Sequence, residues 1–305
     1  MTTSSMAAPA GAAPKVRRRR RSWTGWGFVG PFLAAFAFAF VAPVAYSIYL
    51  SLYRQKLIGG NSFVGLQNYS QALRDPQFWS SVSRVGLFLV VQVPIMLFLA
   101  LFAALALDSA RLHWAPLYRL AIFLPYAVPA VVAALMWGFI YGNQFGLVAS
   151  INRDLHVHLP DPFSSGLVLG SIGNIVTWEF VGYNMLIFYS ALRVIPGDLY
   201  EAAEIDGAGA FRIVSSIKLP ALRPAILIAT IFSIIGSFQL FTEPIILKPL
   251  APDTISSYFT PNMYAYNLSF AGQQYNYSAA IAIVMGLITM IIAYVVQLSG
   301  TRKGA

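Results

Sequence analysis

The sequence has no cysteine, only three histidines and no phosphate-binding loop of the Gly-x-x-x-x-Gly-Lys-Ser/Thr type. Without cysteine the chain can form neither a disulfide nor a thiolate metal site, and it has no cysteine nucleophile. His156 and His158 have no ligand-rich neighbourhood, so we predict no metal site. The missing phosphate loop excludes the usual way of binding ATP. We therefore expect no catalytic residues and no cofactor in this chain.

Charged residues are also scarce, at 10% of 305 residues, whereas 58% are hydrophobic. Soluble domains have about 25% charged residues, so this composition predicts an integral membrane protein. Crossing the hydrocarbon core takes about 20 apolar residues, and six stretches are long enough. They lie at about 28–50, 85–107, 117–141, 167–192, 225–247 and 279–298. We predict an all-α, polytopic membrane protein with six transmembrane helices.

The net charge of +9 comes largely from Lys15 and the five arginines of residues 17–21. We predict residues 1–27 to be a disordered basic tail beside anionic lipid headgroups, not a nucleic-acid site, and residues 28–300 to be the membrane domain. Six spans starting from an inner tail place fourteen Lys and Arg residues inside and six outside. This asymmetry predicts that both termini are cytoplasmic.

The longest polar interruption in the second half of the chain covers residues 196–224. Asp198 is predicted to cap a helix whose third position is Glu201, and Gly207 is predicted to end that helix.

A second short helix is predicted at about residues 210–218, and Pro220 and Pro224 should prevent its simple continuation. The result is a helix, a glycine turn and a helix on the cytoplasmic side, a shape suited to contact with a partner.

This loop resembles the EAA loop of bacterial ABC importer permeases, which is the coupling helix that docks in a groove of a separate ATPase subunit. The resemblance implies that ATP and magnesium are bound by that partner ATPase. The matching positions are Glu201, Ala202, Ala203, Gly207, Ile217, Leu219 and Pro220, and Asp206 could add an ion pair alongside Glu201.

Two carboxylates stand inside predicted spans, Glu179 in the fourth and Glu243 in the fifth. Charges in a bilayer cost several kcal/mol, so both should face the bundle interior or a wet cavity. Glu243 precedes Pro244 near the outer end of its span, and an interfacial position is an equally open interpretation.

Helical spacing groups further polar and aromatic residues with each carboxylate. Two such faces turned toward each other would make a site suited to hydrogen bonding and stacking with a sugar. The substrate-binding residues predicted in this way are Glu179, Tyr183 and Asn184 on the fourth span, and Phe232, Gly236, Gln239 and Glu243 on the fifth. The family resemblance implies Phe180 as an eighth.

The resemblance also covers most of the chain, about residues 25–300. Tyr126-Ala-Val-Pro129, Phe145-Gly146 and Ile195-Pro196 are similar to segments of carbohydrate-type permeases of the maltose transporter group. In that group the sugar site lies on the two spans that flank the EAA loop. By offset from the loop, the implied contact positions are Val176, Glu179, Phe180, Tyr183, Phe232, Ile235, Gly236 and Gln239.

The resemblance implies one permease subunit of an ABC importer for a di- or oligosaccharide in the bacterial inner membrane. Its expected partners are a second permease, two ATPase subunits, an extracytoplasmic sugar-binding protein and membrane lipids.

Two other function classes can be compared with this interpretation. An ion-coupled secondary transporter would use Glu179 or Glu243 as its titrating group. Such transporters often have two related halves, and residues 25–160 show no similarity to residues 161–300. A membrane enzyme would need a constellation of reactive side chains inside the bilayer, and the sequence supplies none beyond these lone glutamates.

Overall fold

The computed structural model describes residues 24–56, 60–109, 112–142 and 146–302. Within these ranges the chain is mainly helical, and five helices are long and apolar enough to cross a membrane, or six if a sharply bent pair counts as one span. The predicted helical class is confirmed, although one small β-hairpin departs from an all-α chain.

The first apolar stretch is helical and contains a widened turn. Helix α1 (Thr24–Phe36) leads through a π-helical turn (Ala37–Val41) into α2 (Ala42–Ser51). Pro43 has no N–H to donate and its ring crowds the preceding turn, and the wider turn just before it relieves that conflict. Most of the predicted tail, residues 1–27, lies outside the described residues, but α1 already begins within that range.

A short hairpin and helix follow. Strand β1 (Tyr53–Lys56) pairs antiparallel with β2 (Gly60–Phe63), and α3 (Gln67–Arg74) comes next. The buried amide nitrogen of Asn68 donates to the carbonyl oxygens of Ser51 and Tyr53, both at 2.8 Å. These bonds fix α3 to the start of the hairpin.

Helix α4 (Pro76–Asp108) has 33 residues and extends the predicted second span in the N-terminal direction. Asp75 caps it, because its Oδ1 accepts hydrogen bonds from the backbone N–H groups of Gln77 at 2.9 Å and Phe78 at 3.4 Å. Pro76 suits the first helical position, where no intrahelical N–H bond is lost.

The predicted third span, residues 117–141, is not one straight helix. Helix α5 (Ala115–Phe123) passes into a 3-10 turn (Leu124–Ala127), and α6 (Ala130–Tyr141) leaves at an angle of 96°. Proline disfavours the helical conformation in the residue before it, and Val128, before Pro129, is extended with ψ of 129°. The predicted span is therefore made of two helices joined by a sharp bend.

Helix α7 (Leu147–Asp154) is short, and α8 (Val168–Leu192) forms the predicted fourth span. Helices α4 and α8 pack along each other at the centre of the bundle. The core has one cluster near the start of α8 and another near its end. Fully buried members include Ile172 and Ile175 in the first cluster, and Met185, Phe188 and Leu222 in the second.

Residues 196–224 begin with α9 (Asp198–Ile205), and we call them the coupling segment only because of their resemblance to the EAA loop. The predicted side-chain cap at Asp198 was wrong. Gly197 occupies the cap position, and Asp198 is the first helical residue and makes no capping bond. Its charge still lies in the first turn, where the helix dipole favours an anion.

After α9 the coupling segment continues into the fifth apolar helix. Helix α10 (Ala210–Ile213), a π-helical turn (Val214–Lys218) and α11 (Leu219–Phe238) form one continuous run. Pro220 and Pro224 do not interrupt it, contrary to our expectation. Pro220 lies in the first turn of α11 directly after the wide turn, where its missing N–H costs little.

The rest of the chain returns to the other end of α4. Helix α12 (Thr242–Leu247) and a 3-10 turn (Lys248–Leu250) precede α13 (Pro261–Phe270), and α14 (Tyr275–Arg302) forms the last span. Helix α14 packs on α3, α11 and α13.

Candidate functional site

A cavity of about 410 Å³ lies among α4, α8, α11 and the segment that leads into α12. Seven of the eight predicted substrate-binding residues line it. They are Phe180, Tyr183, Asn184, Phe232, Gly236, Gln239 and Glu243, and Val176 lies beside them. Ile235, in contrast, lines a separate groove against α14.

The fifth span is broken where it borders the cavity. Helix α11 ends at Phe238, and the N–H of Gln239 closes the last turn on the carbonyls of Ile235 and Gly236, at 3.1 and 3.0 Å. The chain is then non-helical until Thr242. The spacing predicted that residues from Phe232 to Glu243 share one continuous helical face. Because the helix ends at Phe238, this prediction was wrong. Irregular backbone at membrane depth is tolerated where it lines a cavity, as it does here.

Aromatic rings form one wall of the cavity. The ring of Tyr126 stacks on that of Tyr183 with centroids 4.9 Å apart and an angle of 19°, and it meets Phe180 edge-on at 5.8 Å. The bend between α5 and α6 places Tyr126 there. Flat stacked rings suit the apolar face of a sugar ring.

Amide groups add directional hydrogen-bonding capacity. The amide nitrogen of Asn184 donates to the carbonyl oxygen of Phe180 at 3.0 Å, which fixes its orientation. Gln92 on α4 donates to the hydroxyl oxygen of Thr177 at 3.2 Å. Gln239 also lines the cavity, at the end of α11. These groups can bind hydroxyls as donors or acceptors.

The carboxyl groups of Glu179 and Glu243 are close neighbours. Glu243 is 7% exposed and lines the cavity, whereas Glu179 is 3% exposed and lies behind the lining. The Oε2 atom of Glu179 has no hydrogen-bond partner among the described residues.

The sequence analysis missed the cavity residues that lie outside the fourth and fifth spans, which are Phe88, Gln92, Met96, Tyr126 and Ala130. Gln92 is a polar residue in the middle of an apolar span, and that signal could have identified it. The resemblance already included Tyr126 among its motif residues, but nothing local indicated that its ring would reach Tyr183.

The coupling segment forms a second candidate site. Gly207 has φ of +78°, and α9 ends in a paired hydrogen-bond arrangement, from Ala208 N–H to Ala203 O at 2.8 Å and from Gly207 N–H to Glu204 O at 3.0 Å. This left-handed ending favours glycine at that position. Gly207 thus turns the chain between α9 and α10, as predicted.

The predicted coupling residues lie along the surface of this segment. Glu201, Ala202, Asp206, Gly207 and Pro220 are exposed, and Ala203, Ile217 and Leu219 are half-buried. The sequence analysis missed three large apolar side chains nearby. Leu199, Ile205 and Phe211 are 51%, 88% and 85% exposed, which is unusual for a surface facing water alone.

Comparison with known proteins agrees with this architecture. Residues 70–302 match the family described as binding-protein-dependent transport system inner membrane component. The lactose transport system permease protein LacF of Rhizobium radiobacter is 32% identical over 282 residues, which cover 88% of this chain and 91% of LacF. The diacetylchitobiose uptake system permease protein NgcF of Streptomyces coelicolor is 29% identical over 321 residues, which cover 99% of this chain and 90% of NgcF.

The fold is also found among solved structures. A bacterial ABC transporter involved in the import of the acidic polysaccharide alginate contains a chain that superposes with a TM-score of 0.81 at 17% identity, covering 92% of this chain and 96% of that one. The relatives are transporter permeases rather than enzymes. With the family match spanning most of its length, this chain belongs to the family of inner membrane components of binding-protein-dependent transport systems.

Proposed function

We propose that this chain is one permease subunit of a bacterial ATP-driven importer that moves a di- or oligosaccharide across the inner membrane. The observation that carries the proposal is the cavity, where stacked tyrosines, amides and a carboxyl group converge beside a broken helix. The names of LacF and NgcF, which refer to lactose and diacetylchitobiose, support the sugar class. An extracytoplasmic binding protein would deliver the sugar, in keeping with the family description.

We assign six spans to the chain by counting the bent pair α5 and α6 as one, with both termini in the cytoplasm. The charge asymmetry of the loops supports this orientation. It places the coupling segment inside, and Asp75 and the start of α14 outside.

We assign the exposed surface of the coupling segment to an ATPase subunit, which would bind ATP and magnesium. The apolar side chains of Leu199, Ile205 and Phe211 would enter its groove, while Glu201 and Asp206 supply charges for ion pairs at the rim. Two ATPase copies would serve this permease and a second one. Phe232 is 57% exposed at the open side of the cavity, which supports placing the second permease there.

In this mechanism, closure of the ATPases displaces the coupling segment and opens the cavity to the outside. The sugar then stacks on Tyr183 and Tyr126 and exchanges hydrogen bonds with Asn184, Gln239 and Glu243. Glu179 acts through Glu243, because it lies behind the lining.

The test is uptake of labelled disaccharides by the complex reconstituted in liposomes with its second permease, ATPase and binding protein. We expect uptake only with ATP. Tyr183→Leu should raise the half-saturating concentration of sugar about two- to twelvefold, because an aromatic contact contributes about 0.5–1.5 kcal/mol, whereas Tyr183→Phe keeps the ring and should resemble wild type.

A second variant tests the coupling segment in the same assay. Gly207→Trp should lower the amount of ATPase that copurifies, since the left-handed backbone and the docking surface both disfavour a large side chain, while Gly207→Asn tolerates this backbone better. The proposal would be contradicted, and an ion-coupled transporter favoured, if uptake proceeds without ATP and is unchanged by Tyr183→Leu and Gly207→Trp.

A further inference from the structure

A largely buried ion pair lies where α4 meets the coupling segment. The Nζ atom of Lys218 donates to Oδ2 of Asp108 at 2.6 Å, and the two side chains are 14% and 8% exposed. Asp108 is the last residue of α4, and Lys218 ends the π-helical turn. Elsewhere in the described part of the chain, the ion pair between Arg153 and Asp154 joins adjacent, exposed side chains. The Asp108–Lys218 pair therefore connects two elements that are far apart in sequence.

Tyr200 on α9 completes this cluster. The Nζ atom of Lys218 lies 5.3 Å from the centre of the Tyr200 ring, within the range of a cation–π interaction. The Tyr200 hydroxyl is buried and has no hydrogen-bond partner among the described residues. Its burial and the nearby charge of Asp108 raise the pKa of Tyr200, so the hydroxyl stays neutral. The cluster thus joins α4, α9 and the π-helical turn.

A buried ion pair is a poor source of net stability, because desolvation of both charges offsets most of their attraction. The ion pair instead restricts how α4 and the coupling segment can be positioned relative to each other. A charged pair with a short hydrogen bond accepts only a narrow range of positions, and removing one partner leaves a buried charge unpaired. Apolar packing alone would permit sliding at this point.

We propose that Asp108, Lys218 and Tyr200 form a joint that holds the coupling segment at a fixed angle to α4, so that the two move together. Helix α4 lines the cavity through Phe88, Gln92 and Met96. Met96 is twelve residues from Asp108, about 18 Å along the helix. The joint would thus carry motion of the coupling segment directly to the cavity wall. This inference rests on the proposed function, since it assumes an ATPase at the coupling segment.

The test is the number of sugar molecules imported per ATP hydrolysed by the reconstituted complex. The double variant Asp108→Asn, Lys218→Met removes both charges and leaves neither unpaired. We expect the complex to assemble and hydrolyse ATP at the wild-type rate, but the sugar imported per ATP should fall about tenfold, within the range typical of coupling between sites. Lys218→Arg keeps the cation and should keep the ratio close to wild type.

The matched control is the exposed pair, neutralised as Arg153→Met, Asp154→Asn, which should leave the ratio unchanged. If the Asp108, Lys218 double variant imports as much sugar per ATP as wild type, the joint is overturned. The neutral side chains would then replace the ion pair fully, and the pair would have only a structural role.

If that double variant fails to assemble, Tyr200→Leu provides the decisive measurement, since it removes the ring without leaving a buried charge. A lowered ratio supports the joint and an unchanged ratio overturns it. Failure of the proposed function is distinguishable, because the wild-type complex itself would then show no ATP-dependent uptake.

Discussion

Asp75 shows how much one side chain can organise. Besides capping α4, its Oδ2 accepts hydrogen bonds from the hydroxyls of Tyr264 on α13 at 2.5 Å and Tyr277 on α14 at 2.7 Å. Burial alone would raise the pKa of Asp75, but these bonds and the backbone N–H bonds outweigh it and hold the pKa below its usual 3.8. The folded protein therefore stabilises the carboxylate.

Asp75→Asn is expected to lower the melting temperature in detergent at pH 7 by about 5 °C, since hydrogen bonds to a charged group contribute about 1.5–3 kcal/mol. Because the folded-state pKa is lowered, this stabilisation is fully present above pH 3.8 and is lost as the pH falls through the folded-state value. The gap between variant and wild type should narrow at pH 3. Asp253→Asn, the same change at an exposed position, is the control. A gap that is independent of pH would refute the role of the charge.

At the scale of elements, α5 and α8 approach each other at Gly182. A Cβ atom there would lie 2.1 Å from the carbonyl oxygen of Ile122 on α5, whereas the same atom at Gly170 on α8 would meet nothing within 4 Å. Glycine thus permits a close helix contact of the kind common in membranes. This contact lies one turn from the bend that places Tyr126 in the cavity.

Gly182→Ala should force α5 and α8 apart at a cost of about 1–3 kcal/mol. We expect a lower melting temperature and weaker sugar uptake, measured on purified and reconstituted protein. Gly170→Ala, on the same helix, should be neutral or slightly stabilising, because alanine favours helix more than glycine does. Equal behaviour of the two variants would show that the close contact does not exist.

The elements themselves were largely predictable, and their interruptions were not. Length and hydropathy are enough to locate apolar spans, since the bilayer fixes both. Pro94 and Pro224 lie inside continuous helices, whereas Pro129 follows a 96° bend. Whether a proline bends a helix depends on how neighbouring elements satisfy the freed backbone groups, and local sequence does not record those neighbours.

The same limit applies to the cavity. Residues on α8 and α11 could be located by their offset from the coupling segment, because that offset is counted along the chain. Gln92 and Tyr126 reach the cavity from α4 and from the turn after α5, and their positions follow from packing angles. The break after Phe238 was likewise not predicted, because the mainly apolar stretch at 225–247 is long enough to form one span.

At the scale of the whole molecule, orientation in the membrane can be tested because the chain has no cysteine. Ser109 follows the end of α4, and Gln273 precedes α14, which begins beside the start of α4. We expect Ser109→Cys to react with a membrane-impermeant maleimide only after cells are permeabilised, and Gln273→Cys to react in cells with an intact inner membrane. Both positions are exposed. The cysteine-free parent is the control, and the reverse labelling pattern would invert the assigned topology.

The length of α4 has a consequence for the surrounding lipids. Its 33 residues span about 50 Å, whereas the hydrocarbon core of a bilayer is about 30 Å thick. Both ends, with Asp75 at one and Asp108 at the other, therefore reach the headgroup layers or water. A helix longer than the bilayer adapts by tilting, or the bilayer thickens around it. The acyl-chain length of the host membrane thus helps to set the inclination of this helix, and with it the resting geometry of the cavity that the helix lines.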